Sequence, residues 1–529
     1  MPVLAGWLTG EQVPQETIEQ ALSTMGEVLG QHGGQPARSV LPGAGIIAFS
    51  DDGHAMQRND DPPVLDWVPD RRTLVYRRPL SGAHVLYYVE DWPAQGNLLF
   101  ASEIKALLAV GVPRRLHIAA LDALLRYGFI PAPWTAFKDI RVVPAGSILR
   151  WQKAKTVVNA STDYHIDEPL SPDNTSDQLH ALLNAATAGM LPSHEQLVAL
   201  TPGDALSALP SLLAAQHTPA QFPIVAFDYT NSVSQIWKSA ERVAAACQRP
   251  FLEVMGVDEP EFWVATLAGL EAPSIDTRPL LFHQLLHTVA SETEARVAIS
   301  GSGAHILAGS TAVPTQPLAT NSEQAGMLSW YRNTLLKEPG KQPTQIWSRD
   351  VAEFLQKEER WEETLHARKL ARRADQFANR QQGWYYLDLH LRLPDLIVHP
   401  IQQLAMQERM VVRSPYLNPH VIDMLTRLPA TQDNGISKEQ LLTQLARRSM
   451  PARTKLGTVS PLIVPMNSLL DIEGSDLLQK TLSPEALRAT GIFDPGVVGD
   501  LLKQQGKSKR ELLLVFTTQL LIQLFGMEL

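Results

Sequence analysis

Two short turns carry residue types that could hold a phosphate. The first lies in residues 197–216, LVALTPGDALSALPSLLAAQ. An apolar run of strand length, Leu197-Val198-Ala199-Leu200, turns through Thr201-Pro202-Gly203-Asp204 into Ala/Leu-rich sequence. Pro210 must lie in the first turns of the helix that follows, or kink it. The second turn lies in residues 296–309, RVAISGSGAHILAG. Strand, tight turn, helix is the geometry in which backbone N–H groups at a helix N-terminus hold an anion. Two such turns at the ends of parallel strands would face one nucleotide-sized crevice. The candidate phosphate contacts are therefore Thr201, Gly203, Asp204, Ser207, Gly301 and Gly303. Lys455, in Arg453-Thr454-Lys455-Leu456-Gly457, could place a cation over developing charge or be a surface lysine. His305 reads either as a base or as a polar turn residue. His283 and His287 share one helical face at i, i+4, a spacing that can chelate zinc, but they lack the HExxH glutamate and are read as packing residues.

The elements that would position these turns read as two units. Residues 1–160 hold short strand-like runs: VLAGWL after the first residues, 41–50, 72–77 and 84–89. FASEIKALL (100–108) follows, then a helix-like 118–127 closed by Gly128. Residues 161–176 read as a linker, within a polar, turn-rich stretch from 156 to 176. Residues 177–529 form the second unit. There FPIVAF (222–227), a helical 237–247, FLEV (251–254) and helical 261–270 and 280–290 alternate, which predicts a parallel sheet covered by helices on both faces. Residues 314–345 read as an irregular insertion, and 512–524 as a buried helix.

Composition narrows the class. A hydrophobic fraction of 44% with 19% charged residues fits a globular chain, and 529 residues are too many for a single core. A net charge of −9 argues against a nucleic-acid binder, which would carry a basic surplus. With Cys247 as the lone cysteine, no intrachain disulfide and no Cys-rich zinc site can form. Neither a secretory leader nor a membrane span is legible, so a cytoplasmic location is expected.

At these same residues the chain resembles the asparagine synthetase family. Strand-then-SGGxDS is that family's pyrophosphate loop, and its second turn reads roughly GxGxDE. The N-terminal MPVLAGW resembles the MCGIAGW of the family's glutaminase domain, and FASEIKALL with Pro144-Ala145-Gly146 matches its later segments. Residues 384–394 resemble its LDLxxxLPDxLL helix, Arg413-Ser414-Pro415-Tyr416-Leu417-Asn418 its RxPFLD, and Lys438 followed by the Lys455 segment its closing basic motif RxKxGF. The resemblance implies α/β and α+β architecture: a shortened glutaminase-like (Ntn-type) sandwich, then an adenine-nucleotide α-hydrolase-like parallel sheet with a helical C-terminal part.

The resemblance also marks departures. Pro2 stands where the family has its nucleophilic cysteine, and no glutamine-binding segment is recognisable, so glutaminase activity is expected to be lost. Ala205 replaces the loop aspartate, His305-Ile306 the Asp-Glu pair, Gln402-Gln403 an Asp-Arg pair, Val411 a glutamate and Asn418 the aspartate closing PFLD. Hard Mg²⁺ needs carboxylate oxygens. The expectation is a non-catalytic binding, scaffold or regulatory subunit with no cofactor, acting with a protein partner or by self-association. The alternative is an ammonia-independent, ATP- and Mg-using amide ligase of the beta-lactam synthetase or lasso peptide cyclase type. There Asp204 would stand in for the lost loop carboxylate.

Overall fold

In a computed structural model the chain is described except at residues 1–2, 12, 51–63, 171–174, 194–195, 229–234, 257–258, 260–261, 311–325, 336–345, 432–434, 452–453, 458–474, 504–508 and 529. Pro2 lies outside the described residues.

The first unit supplies β1 (Val3–Leu8), β2 (Gln35–Leu41), β3 (Ala44–Ser50), β4 (Val64–Val68), β5 (Thr73–Arg77), β6 (Tyr87–Glu90), β7 (Leu98–Ala101), β8 (Arg141–Val142), β9 (Ser147–Gln152) and β10 (Lys155–Ala160). They form a six-stranded sheet, β2-β3-β1-β7-β6-β8, and a four-stranded sheet, β10-β9-β5-β4. Side chains of both sheets, among them Leu4, Leu8, Leu74, Tyr76, Phe100, Leu149 and Trp151, make one apolar layer, so the two sheets stack as a sandwich. The other face of the six-stranded sheet is covered by helix Gln15–Leu29, which buries Ile18, Leu22 and Met25.

Several local readings need correction. Residues 41–50 are not one strand: the chain turns after Leu41, and β2 and β3 pair as a hairpin. The positive φ of Gly43 makes that turn. Residues 156–160 belong to edge strand β10, whose side chains are mostly exposed; this explains why the stretch is polar without being a linker. Pro144-Ala145-Gly146 is the turn that leads into β9. Part of 314–345 is the helix Met327–Leu335, while most of that stretch lies outside the described residues.

The second unit supplies β11 (Gln196–Leu200), β12 (Ile224–Asp228), β13 (Phe251–Met255), β14 (Ala295–Ser300) and β15 (Val411–Arg413). All pair in parallel in the order β13-β12-β11-β14-β15. The pleat of β11 explains its continuous apolarity: Leu197 and Ala199 face one helical layer, Val198 and Leu200 the other. The chain order runs outward from β11 in one direction and then resumes beside it with β14. That reversal leaves a crevice at the carboxyl ends of β11 and β14. Val411 opens β15, opposite Val297.

Candidate functional site

The two predicted turns leave the carboxyl ends of adjacent strands. After β11, Asp204 caps the helix Ala205–His217. One carboxylate oxygen, Oδ1, accepts from Leu206 N at 3.0 Å and from Ser207 N at 3.2 Å; the Ser207 hydroxyl donates to Oδ2. These are the N–H groups at a helix N-terminus that could receive a phosphate. Here the helix receives its own aspartate instead. Thr201 turns inward too, its Oγ1 within 2.9 Å of Ser207 Oγ and accepting from Gly203 N at 3.0 Å.

The turn is closely surrounded. Gly203 has φ of +88°, and a Cβ there would lie 2.5 Å from the backbone of Ser239 and Ala240. The helix Gln235–Cys247 therefore presses directly on the loop, and only glycine fits. On its other side Gly203 O accepts from Gly457 N at 2.9 Å, which brings the Lys455 segment alongside. Lys455 itself is exposed there.

The second turn closes the site. Gly303 precedes a helix of four residues, Ala304–Leu307. A Cβ on Gly301 would lie 2.5 Å from Ser207 Cα, so the two turns touch backbone to backbone. His305 reaches back across this contact, Nε2 standing 3.5 Å from Asp204 Oδ1. Burial lowers the proton affinity of His305, but the hydrogen bond and charge of Asp204, with Glu439 adding, outweigh it and raise its pKa. Burial works upward on Asp204, and the bonds from His305 and Ser207 bring it below the usual carboxylate range. Both shifts describe a charged pair. Ala205 and Ile306 are buried in the apolar layer.

Thus Thr201, Gly203, Asp204, Ser207, Gly301, Gly303 and His305 lie together, with Lys455 at the rim. Val411 is set apart, its partner Val297 standing three residues before Ser300, about 10 Å down the sheet. Sequence reading missed the part played by the segment after β15. Ser414 Oγ donates to Ser302 O at 2.8 Å, and Tyr416 OH donates to Leu206 O at 2.8 Å, so one segment ties both turns down.

A family model described as asparagine synthase matches residues 207–523, and one described as a glutamine amidotransferase domain matches residues 65–164. The first match covers more than half of the chain. The chain belongs to the asparagine synthase family. No curated protein matches it.

The residues read from the sequence as departures from the family pattern have definite places in the structure. Gln402 Oε1 accepts from His84 N at 2.9 Å, and Gln403 Nε2 donates to Tyr87 OH at 2.7 Å. Both glutamines thus hold the amidotransferase-like sandwich against the synthase-like unit. Asn418 caps the helix Pro419–Arg427, accepting from His420 N at 3.0 Å. His283 and His287 both reach Glu408, at 3.0 and 3.2 Å. Among the described residues, no three His, Cys, Asp or Glu side chains converge as metal ligands, and no helix is long and apolar enough to cross a membrane.

Proposed function

We propose that this asparagine synthase family member is a non-catalytic binding or scaffold subunit. The observation that carries the reading is the carboxylate of Asp204. It takes up the N–H groups of Leu206 and Ser207 and is paired with His305. An anion arriving at that helix would have to displace a buried, hydrogen-bonded aspartate. The residues present do not fit a magnesium-bound triphosphate: Ala205, Ile306 and Val411 bring no oxygen ligands, and Asp204 has both oxygens engaged. We extend the reading to the division into 1–160, 161–176 and 177–529, to a protein partner or self-association, to no nucleic-acid partner, and to a cytoplasmic location. Gln402 and Gln403 support the scaffold role, since altered family positions serve as anchors between the two units.

One observation favours the second reading, an ATP- and Mg-dependent amide ligase. Gly457 N bonds to Gly203 O at 2.9 Å, which holds the Lys455 segment beside the first turn. Calorimetry of the full chain with ATP and Mg²⁺ separates the two. No Mg²⁺-dependent heat at micromolar ATP is expected. Release of AMP and pyrophosphate on addition of a carboxylic acid would replace the scaffold reading with the ligase.

A further inference from the structure

Between the two units lies a cavity of about 480 Å³, within the size range of binding sites. None of its lining residues belongs to either glycine turn. The first unit lends it Tyr88, Trp134 and Val158, and the second lends Tyr386 with one side of the helix Leu365–Ala374. Leu365 stands at its rim and is 70% exposed, the most exposed large apolar side chain among the described residues. It is not an isolated surface leucine, because it continues the apolar wall of the cavity.

Charge adds to this. The same helix carries Arg368, Lys369 and Arg372, all exposed. With Leu365 they fall at i, i+3, i+4 and i+7, which is one helical face. Among the described residues none of the three cations has a carboxylate partner. The helix dipole favours Arg372 in the last turn but gives little to Arg368 and Lys369 in the middle, and like charges at i, i+4 repel. The other charged groups on the cavity are Arg141, Asp163, Glu359 and Arg373. Arg141 pairs with Glu90 at 3.4 Å, Asp163 with His390 at 2.9 Å, and Arg373 with Asp167 at 2.8 Å. That leaves Glu359 as the unpaired acid against three unpaired cations, on a chain whose net charge is −9.

We infer that this helix face and the cavity beside it dock an acidic peptide segment of a partner protein, one aromatic or leucine side chain of the segment sitting in the cavity. Carboxylates of the segment lie over Arg368, Lys369 and Arg372, and Leu365 packs against the anchor. His366, which lines the cavity, is placed to serve the segment's backbone. It has no hydrogen-bond partner among the described residues. Burial first, and then the charges of His390 and Lys369, push its pKa down to about 3. The ring is therefore neutral at pH 7, with one N–H to donate and one nitrogen to accept. The inference rests on the reading of the chain as a binding subunit and gives its partner a chemistry.

The test titrates the full chain into a fluorescein-labelled peptide of eight glutamates flanking a central Trp-Leu pair, and reads anisotropy. The negative chain as a whole repels this probe, so binding reports the local face. Expected is binding at about 50 mM salt that weakens at least about 10-fold at about 300 mM, and at least about 10-fold when the pair is changed to Ala-Ala. The combined variant Arg368→Glu, Lys369→Glu, Arg372→Glu should weaken binding at least about 10-fold while melting no lower than the parent, since all three side chains are exposed. No saturation below about 1 mM chain, equal binding of the Ala-Ala peptide, or binding that survives the charge reversal would overturn the inference. The two peptides on the parent decide this even if the variant fails to fold. Release of AMP in the assay above would end the binding-subunit reading without altering this titration, so the two failures are told apart.

Discussion

At the scale of single residues, the decisive group is Asp204. Its carboxylate both caps a helix and pairs with His305. Replacing it with alanine should cost about 1–2 kcal/mol of unfolding free energy through the lost cap, read by denaturant unfolding. His305 isolates the charge part. Its pKa is raised from 6.5, so its contribution is full below 6.5 and is lost as pH rises through the raised value. That of Asp204 is lowered from 3.8, so its contribution is present above 3.8 and is lost as pH falls through the lowered value. The stability gap between the parent and His305→Gln should therefore be widest between pH 3.8 and 6.5 and should close on both sides. A gap that keeps the same size well below pH 3.8 and well above pH 6.5 would show that the pair carries no charge.

At the scale of elements, the helix Ala205–His217 holds Pro210 in its interior. Proline has no N–H for the carbonyl four residues back, which is that of Leu206. Tyr416 OH fills the gap, donating to Leu206 O at 2.8 Å from the segment after β15. The kink anticipated from Pro210 is thus accommodated by a partner from a distant part of the chain. Tyr416→Phe should cost about 1–2 kcal/mol, because it leaves a buried carbonyl unpaired. In a Pro210→Ala background the new N–H can serve that carbonyl, and the cost should shrink by about 1 kcal/mol. A double-mutant cycle measures this coupling, and additive effects would disprove it.

At the scale of the whole molecule, the two units are locked together by buried polar contacts. FASEIKALL is central to this. Its β7 lies between β1 and β6, and its Glu103 accepts from His32, Lys105 and Gln407 at 2.9, 3.0 and 3.1 Å. Across the junction, Glu271 accepts from Ile104 N and Lys105 N, both at 2.7 Å. Burial first, and then the charge of Glu103, pushes Glu271 up to about 8. A carboxyl raised from 4.5 contributes stability that is full below 4.5 and is lost as pH rises through about 8. The parent should lose stability over that span, and Glu271→Gln should flatten the slope. An unchanged slope in thermal melts of Glu271→Gln would show that another group governs it.

The sequence by itself determined the family and the alternation that builds the parallel sheet. It also determined both glycine turns. Local apolar runs, glycines and motif spacing encode these features without reference to distant residues. It could not reveal β2, β15 or the polar edge strand β10, because strand pairing supplied by neighbours, not local composition, makes those segments extended. Only the tertiary structure decided what the altered positions do. Asp204 looked like a free carboxylate one position away from a lost one. Its direction follows from the helix it caps and from His305, which lies about a hundred residues further along the chain. Gln402 and Gln403 looked like losses until the first unit was seen against them. A side chain's role depends on which partners folding brings within hydrogen-bonding distance, and spacing along the chain does not contain those distances.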